Sequence, residues 1–267
     1  MYNTNNDNLV SERNSIMKIQ KLGLQLYTVR HTLGTPENVR ATFRKMKELG
    51  YDVAQTAGCE LSYEEFGRIA REEGIEICGT HEGMGLMLND PDEAMRIHDT
   101  LGCKFMGIGG FHPQSAYDVE CFIENANTIG KNVHPYGFKF TYHNHSHEFV
   151  RLDNGKTIMD MLAEGMDPET TSFCLDTYWI QHGGADVRYW IEKLAGRIDI
   201  LHLKDMGRNA DGPFITEIGN GNLWWEGILE TAEKAGVKYY VVEQDTCPGD
   251  PFDSIKQSSD YIHKNFM

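Results

Sequence analysis

Carboxylates and histidines follow four successive apolar runs in the second half of the sequence, at the points where strands should end. The four residues are Glu148, Asp176, His202 and Glu243. Three carboxylates and one imidazole form an oxygen-rich ligand set, which suits Mn²⁺, Mg²⁺ or Co²⁺ and also admits Zn²⁺. A glutamate that follows strand-forming residues, as Glu243 does, is costly to bury unless it is paired or ligated. The sequence therefore predicts one divalent metal ion, with Mn²⁺ as the first choice.

Three of these residues also have a plain structural interpretation. Asp176 could cap the segment that follows its strand, because an aspartate accepts hydrogen bonds from the first free N–H groups of a helix. His202 could be a packed core histidine, and Glu243 could pair with Lys204 at the strand end. Their common position at the ends of neighbouring strands favours a site.

A dense histidine cluster follows the fifth predicted strand. His143, His145 and His147 stand with Glu148 within six residues. Histidine changes charge near neutral pH and often serves as a general acid or base. We expect His143 and His145, together with the carboxylates of Glu148 and Glu243, to carry proton transfer.

These residues need a frame that brings the ends of distant strands together. Short apolar runs alternate with longer amphipathic runs, which is typical of β/α units around a parallel sheet. The predicted strands are Leu22–Tyr27, Tyr51–Thr56, Ile75–Thr80, Lys104–Ile108, Lys139–His143, Ser172–Asp176, Asp199–Leu203 and Lys238–Glu243. The predicted helices are Pro36–Leu49, Tyr63–Glu73, Pro91–Leu101, Ala116–His134, Lys156–Glu164, Asp186–Leu194, Trp225–Ala235 and Pro251–Asn265. Eight such units predict a single-domain α/β fold, the (β/α)8 TIM barrel, whose strands all open on one catalytic rim.

Composition restricts the partners and the compartment. The 267 residues include 40 Asp and Glu against 25 Lys and Arg, a net charge of −15. Nucleic acids and anionic membranes need basic surfaces, so neither is expected as a partner. The six cysteines form no C-x-x-C pair. No apolar run approaches the length of a membrane helix, and the first residues contain no signal-peptide core. We expect a cytoplasmic protein with reduced thiols, a polar tail at 1–16 and a barrel at 17–267. Met17 is an alternative start of the chain. A homo-oligomer is possible, and the sequence does not decide the oligomeric state.

The order and spacing of several motifs resemble the xylose isomerase-like TIM barrels, a family of sugar phosphate isomerases and epimerases. The resemblance covers residues 17–266, and it implies metal ligands from strands five to eight in the order Glu, Asp, His and Glu. The motifs are Leu24–Arg30, Tyr142–His145, Leu175-Asp176, His202–Asp205, Gly219–Gly221 and Val242–Asp245.

The sequence departs from the family's pattern at the fifth strand. Many members carry the first ligand glutamate there, followed by Asn, whereas this chain has His143 followed by Asn144. Glu148 is the favoured first ligand, and His143 or His145 is the alternative. The departure also bears on mechanism, because the family's epimerases use the first and last ligand glutamates as acid and base.

The resemblance extends more loosely to the substrate. His81 follows the third strand where members often have a pocket histidine, and Lys204 follows the ligand histidine, where it could contact substrate oxygens. Trp179, Trp224 and Trp225 lie on loops after the sixth and seventh strands, and their rings could stack on a sugar or pack the barrel-top loops.

The expected reaction is proton abstraction next to a carbonyl of a carbohydrate substrate. A divalent metal would stabilise the enediolate, and an acid–base pair would return the proton, which gives isomerisation or epimerisation. Elimination, as in cleavage of 3-keto-glycosides or inosose-like dehydration, is the alternative. A non-catalytic sugar-binding subunit and endonuclease IV-like DNA repair are less favoured, the latter because of the net charge of −15. No Arg/Lys cluster marks a phosphate site, so an unphosphorylated sugar is expected.

Overall fold

Eight parallel strands form the frame of the molecule. The computed structural model describes residues 19–58 and 60–267, so the predicted tail at 1–16 and the alternative start at Met17 lie outside the described residues. The barrel strands are Leu22–Gln25 (β1), Tyr51–Gln55 (β2), Glu76–Gly79 (β3), Phe105–Ile108 (β4), Lys139–His143 (β5), Thr171–Asp176 (β6), Ile198–Leu203 (β7) and Tyr239–Val242 (β10). A separate antiparallel ribbon follows β7 and consists of Asp205–Asn209 (β8) and Gly212–Thr216 (β9).

The strand order is that of a barrel. Neighbouring strands run in the order β3-β2-β1-β10-β7-β6-β5-β4, and every pairing among them is parallel. The two outer strands meet as well, because Thr80 N–H donates to the Phe105 carbonyl at 3.2 Å and Glu82 N–H donates to the Gly107 carbonyl at 2.8 Å. The predicted (β/α)8 fold class is confirmed.

Helices surround the strands. Within the described residues they are Pro36–Glu48 (α1), Tyr63–Glu72 (α2), Met84–Asn89 (α3), Pro91–Leu101 (α4), Ala116–Val133 (α5), Ile158–Gly165 (α6), Thr177–His182 (α7), Val187–Lys193 (α8), Trp225–Lys234 (α9) and Pro251–Phe266 (α10). Short 3-10 helices lie at Leu26–Thr32, His134–Tyr136 and His147–Phe149. Among the described helices, none combines the length and the apolar character that crossing a bilayer requires.

Local chemistry sets the ends of these helices. Thr157 and Asp160 form a capping box at the start of α6, in which each side chain accepts a hydrogen bond from the other residue's backbone N–H. At the end of α4, Gly102 adopts a left-handed conformation with φ of 78°, which glycine reaches without a Cβ penalty. Such stops allow each helix to turn back into the next strand.

The strands alternate between two buried faces. Leu201 and Leu203 of β7 belong to the large core between sheet and helices, whereas Ile200 packs inside the barrel with Val53 and Val241. Side chains on a strand point to opposite faces in turn, so His202 shares the inner face with Ile200. His202 therefore points into the barrel.

Candidate metal and substrate site

Four side chains converge at the carboxyl rim of the barrel. His143, Asp176, His202 and Glu243 are all buried, and each offers a ligand atom within 4.8 Å of the others. The first three stand at or near the ends of β5, β6 and β7, where Asp176 is in register with His202. Glu243 follows β10, and its N–H donates to the Leu203 carbonyl at 3.1 Å. We call these four residues the rim group.

Glu148, the favoured first ligand, lies outside the rim group, and His143 takes its place. The Glu148 carboxylate accepts a hydrogen bond from the Tyr142 hydroxyl at 2.7 Å and one from the His145 N–H at 2.9 Å. Tyr142 belongs to the core between sheet and helices, so its neighbour on β5, His143, faces the barrel interior. Hydrogen bonds to Tyr142 and to the loop after β5 therefore hold the Glu148 carboxylate outside the rim group.

A second cluster contains His145, His147 and Glu148, whose ligand atoms also lie within 4.8 Å of one another. Hydrogen bonds already engage much of it. The Nε2 atom of His147 is 2.6 Å from the Phe111 carbonyl, and both oxygens of Glu148 accept bonds from its neighbours. This cluster braces the loop after β5.

The ring of His143 is oriented by a backbone carbonyl. Its Nδ1 lies 3.2 Å from the Gly109 carbonyl oxygen, which can only accept, so Nδ1 carries the hydrogen. The Nε2 atom then faces inward, 3.1 Å from Nδ1 of His202 and 3.5 Å from Oδ2 of Asp176. An imidazole held in this way presents a lone pair to the centre of the rim group.

The ring of His202 is oriented by a side-chain amide. Its Nε2 lies 2.5 Å from Oε1 of Gln55, and its Nδ1 lies 2.9 Å from Oε2 of Glu243. Two inward imidazole nitrogens therefore face two carboxylate oxygens inside a buried shell. Such a mixed nitrogen and oxygen donor set fits a divalent transition metal.

Lys204 joins the carboxylates at the rim. Its buried Nζ lies 3.1 Å from Oδ2 of Asp176, 2.8 Å from Oε2 of Glu243 and 3.0 Å from Oδ1 of Asp245. Burial would lower the pKa of Lys204, but the three carboxylates outweigh it and raise the pKa above its ordinary value. Burial would raise the pKa of Asp176, but the Lys204 ammonium and hydrogen bonds from His143 and His202 bring it below its ordinary value.

Both structural interpretations of the carboxylates are realised alongside the site. Asp176 Oδ1 accepts the Trp179 N–H at 2.9 Å and so caps α7, while Lys204 pairs with Glu243. Oδ2 of Asp176 and Oε2 of Glu243 are buried and lie 3.1 Å and 2.8 Å from the Lys204 ammonium, but neither meets the angular geometry of a hydrogen bond with a described residue. Two such oxygens beside two imidazole lone pairs form a set that a divalent cation would complete.

A cleft of about 360 Å³ opens above the rim group. Its walls combine three histidines with two carboxylates, one tyrosine ring and small residues, namely Tyr27, Ala57, His81, Gly109, His143, His145, Glu243 and Asp245. The cleft is the size of a small-molecule pocket. These described lining residues include neither Lys nor Arg.

His81 and His145, predicted from the sequence, both line the cleft. Burial, with the neighbouring His143 and His202, holds the pKa of His81 well below its ordinary value. Burial and His143 likewise lower the pKa of His145 to about 3. The Nδ1 atom of His145 is buried and has no hydrogen-bond partner among the described residues.

The tryptophans fall in three different places. Trp179 lies beside the site, with its ring centroid 5.3 Å from that of His145. Trp225 is 2% exposed, and its Nε1–H donates to Asp205 at 2.8 Å, so it packs the barrel-top loops. Trp224 is 58% exposed beneath the Arg188 guanidinium, in an outer groove between α8 and α9. Trp225 thus realises the packing alternative, and Trp224 lies outside the cleft.

Sequence reasoning missed Gln55, Tyr27 and Asp245. Gln55 ends β2 just as His143 ends β5, so the same rule of polar residues at strand ends points to it. Tyr27 begins the cleft wall after β1, and Asp245 follows Glu243 by two residues. The carboxylates that mark strand ends most clearly, Asp176 and Glu243, lie in the second half of the chain, whereas Gln55 is an uncharged residue in the first half.

Comparisons with known proteins agree with this architecture. The model of the family described as xylose isomerase-like TIM barrel matches residues 43–264. An inosose dehydratase from Mesomycoplasma hyopneumoniae is 24% identical over 169 residues, which cover 54% of this chain and 54% of that protein. The chain thus spans about half the length of this curated relative.

Solved structures resemble the whole chain. A sugar phosphate isomerase/epimerase from Parabacteroides distasonis superposes with a TM-score of 0.80 at 22% identity, covering 96% of both chains. A xylose isomerase-like TIM barrel protein from Mycobacterium smegmatis, in complex with magnesium, superposes with a TM-score of 0.72 at 13% identity. The match covers 91% of this chain and 95% of that one. At these identities the likeness shows the shared fold.

Proposed function

Because this chain belongs to the xylose isomerase-like TIM barrel family, we propose that it is a metal-dependent sugar isomerase or epimerase. The proposed reaction removes a proton from the carbon next to a carbonyl in an unphosphorylated sugar or keto-sugar. The observation that carries the proposal is the convergence of His143, Asp176, His202 and Glu243 beneath a cleft lined by further histidines. The proteins similar to this chain include one named as a sugar phosphate isomerase/epimerase and one named as an inosose dehydratase.

The rim group would hold one divalent cation. Its two imidazoles and two carboxylates suit Mn²⁺, Co²⁺ or Zn²⁺ better than Mg²⁺, because Mg²⁺ prefers oxygen ligands throughout. Mn²⁺ stays our first choice since it accepts both carboxylates and imidazole. When bound, such a cation polarises a carbonyl oxygen and stabilises negative charge on the neighbouring carbon.

His145 is the proposed base. Its ring lies on the cleft wall, and burial together with His143 lowers its pKa, which keeps the imidazole neutral at neutral pH. A neutral imidazole can accept a proton, and His143 cannot share this task, because its two nitrogens face Gly109 and the rim group. The Glu243 carboxylate, which borders both rim group and cleft, is the proposed second proton carrier.

Lys204 and Asp245 are proposed to orient the substrate. The ammonium of Lys204 is held by three carboxylates, of which Asp245 lines the cleft. Asp245 therefore presents a carboxylate to substrate hydroxyl groups and keeps the lysine charge close to developing negative charge. The described residues that line the cleft include no Lys or Arg that could bind a phosphate group, which favours an unphosphorylated substrate.

Solvent exchange tests the proposal. The Mn²⁺-loaded protein would be incubated in deuterated water with a panel of ketoses and 3-keto-sugars, and carbon-bound deuterium would be followed by NMR. We expect incorporation next to the carbonyl of at least one substrate, and none without the metal. Absence of exchange with every member of a broad panel would contradict the proposed reaction.

A second candidate, elimination, is favoured by the identity of the first ligand. The family's epimerases use two ligand glutamates as acid and base, and here His143 replaces one of them. Loss of water or of a glycosidic alcohol needs a base that removes the carbon-bound proton and an acid that protonates the departing oxygen. His145 and one carboxylate would suffice for these two roles. Mass spectrometry of the products discriminates, because elimination from an inosose lowers the mass by one water and isomerisation leaves it unchanged.

A further inference from the structure

A single buried amide lies between two histidines of the site. Gln55, at the end of β2, is fully buried. Its Oε1 lies 2.5 Å from Nε2 of His202, and its Nε2 lies 3.0 Å from Nε2 of His81. The only other contact of this amide among the described hydrogen bonds is Cys174 Sγ, at 3.7 Å from Nε2 and 3.9 Å from Oε1. Thiols are weak partners, so the two histidines dominate its surroundings.

The orientation of the amide follows from the position of His202. The Nδ1 of His202 faces the carboxylate of Glu243 and the centre of the rim group. When this nitrogen binds a cation through its lone pair, the single hydrogen of the neutral ring lies on the other nitrogen, Nε2. The partner of Nε2–H must be an acceptor, which is Oε1 of Gln55 and not its NH₂ group.

The opposite end of the amide then determines the state of His81. With Oε1 committed to His202, the NH₂ group of Gln55 faces Nε2 of His81 and makes that nitrogen an acceptor. A neutral imidazole carries one hydrogen, so the hydrogen of His81 lies on Nδ1. The NH₂ group of Gln25 faces Nδ1 of His81 at 3.5 Å, because its Oε1 takes the Tyr27 N–H. This contact is longer than the 3.0 Å between Gln55 and Nε2, so the Gln55 amide determines which nitrogen accepts.

We propose that Gln55 is a positioning residue that sets the tautomers of two histidines at once. It keeps Nδ1 of His202 open toward the rim group, and it makes His81 a hydrogen-bond donor through Nδ1–H. His81 lines the cleft, so its natural acceptor is a carbonyl or hydroxyl oxygen of the sugar substrate. This inference rests on the proposed function and assigns His81 as a donor to substrate oxygen instead of a base.

Only an amide can perform both tasks. A carboxylate at this position would accept from both histidines, and an aliphatic side chain would bond to neither. Outer partners that orient a metal-binding histidine typically contribute 10- to 100-fold to metal affinity, which gives the scale of the effect on His202. Two variants of similar volume, Gln55→Glu and Gln55→Met, therefore separate the two ends of the amide.

Metal titration tests the end at His202. We expect Gln55→Met to weaken Mn²⁺ binding by about 10- to 100-fold, because His202 loses its acceptor. Gln55→Glu keeps the acceptor and should bind at least as tightly as the parent. Cys174→Ala is the control, because its thiol is only a weak partner of the same amide, and it should leave affinity within about threefold. Parent-like affinity in a folded Gln55→Met protein would overturn the inference.

Nitrogen NMR of the imidazoles tests the end at His81. In the parent loaded with Zn²⁺, which unlike paramagnetic Mn²⁺ leaves nearby signals sharp, we expect hydrogen on Nδ1 of His81, with the signal assigned by its loss in His81→Gln. In Gln55→Glu we expect Nε2 of His81 to gain a hydrogen, because its new neighbour only accepts. A parent with the hydrogen on Nε2 of His81 would overturn the inference, even if neither Gln55 variant folds.

The two proposals fail in different ways. If the parent binds no divalent cation, the proposed function fails, and the inference about Gln55, which describes the cation-bound protein, fails with it. If the parent binds the cation and catalyses exchange but its His81 carries hydrogen on Nε2, the proposed function stands and the role of Gln55 does not.

Discussion

The two ends of the barrel treat buried charge in opposite ways. At the amino end of the strands, Asp199 pairs with Lys238 at 2.7 Å, and Glu76 accepts from Lys21 and from the Tyr239 hydroxyl, each at 2.7 Å. Each of these carboxylates has its own cation, and each of these cations is partly exposed to water.

At the carboxyl rim the balance is different. One buried lysine serves three carboxylates, and two imidazole nitrogens face each other at 3.1 Å. Buried polar groups that lack good partners cost free energy, and a ligand that binds several of them at once can offset that cost. We therefore infer that the amino end is arranged mainly for stability and the rim for binding.

The largest expected effect separates the rim group from the carboxylate beside it. We expect His143→Ala to weaken Mn²⁺ binding by well over the roughly 100-fold that an outer partner contributes, because an inner nitrogen is lost. Glu148→Gln should bind Mn²⁺ within about threefold of the parent, since Tyr142 and His145 hold that carboxylate away from the rim group. Isothermal titration with Mn²⁺ measures both. The reverse pattern would restore Glu148 as first ligand.

The next effect concerns chemistry without binding. His145→Gln should lower the rate of substrate deuterium exchange by roughly 100-fold or more, the scale of general base catalysis. Its Mn²⁺ affinity should not change, because His145 is outside the rim group. The matched control is His134→Gln, which changes an exposed histidine on the 3-10 helix before β5. It should alter neither the exchange rate nor the Mn²⁺ affinity. An unchanged exchange rate in His145→Gln would remove it as the base.

These contrasts show which parts of the molecule the sequence can predict. All eight barrel strands were predicted because their apolar runs and flanking helices repeat one pattern, and position at a strand end was enough to select Asp176, His202 and Glu243. The β8–β9 ribbon was missed because Asp205–Asn209 is mostly polar and lacks strand alternation.

The fifth strand shows where sequence reasoning stops. Glu148 follows β5 by five residues, and the 3-10 turn at His147–Phe149 decides where its carboxylate lies. Nothing in the spacing of the residues specifies that turn, whereas simple alternation along β5 places His143 on the inner face. Gln55 shows the complementary limit, since its importance depends on two histidines from distant strands.

Glu217 provides a smaller test of the comparison. Its carboxylate lies above the rim, yet hydrogen bonds satisfy it as fully as any carboxylate at the amino end. Burial would raise the pKa of Glu217, but its own backbone N–H and the side chains of Ser254, Thr216 and Gln244 outweigh it and lower the pKa to about 2. A lowered folded pKa stabilises the protein above the ordinary pKa near 4.5 and ceases to do so as pH falls toward 2.

We therefore expect Glu217→Gln to reduce the free energy of unfolding by about 2 kcal/mol at pH 7, the scale of hydrogen bonds to a charged group. The difference from the parent should shrink as the pH falls below about 4.5, where unfolded glutamate becomes protonated. Urea denaturation across pH 7 to 3 measures it, with the exposed Glu169→Gln as the control. A difference that stays constant over this range would mean that hydrogen-bonded charge is not the cause.

The smallest expected effect lies at the amino end, where a partly exposed ion pair can be removed without touching the rim. Asp199→Asn preserves the shape of the side chain and removes its pairing with Lys238, whose side chain is 56% exposed. Because water solvates the released lysine, we expect a loss of only about 0.5–1 kcal/mol in the free energy of unfolding. Mn²⁺ affinity and the exchange rate should equal those of the parent, since strands β7 and β10 keep their backbone pairing. A change of more than about threefold in Mn²⁺ affinity would show that the two ends of the barrel are coupled, and the division between stability and binding would have to be abandoned.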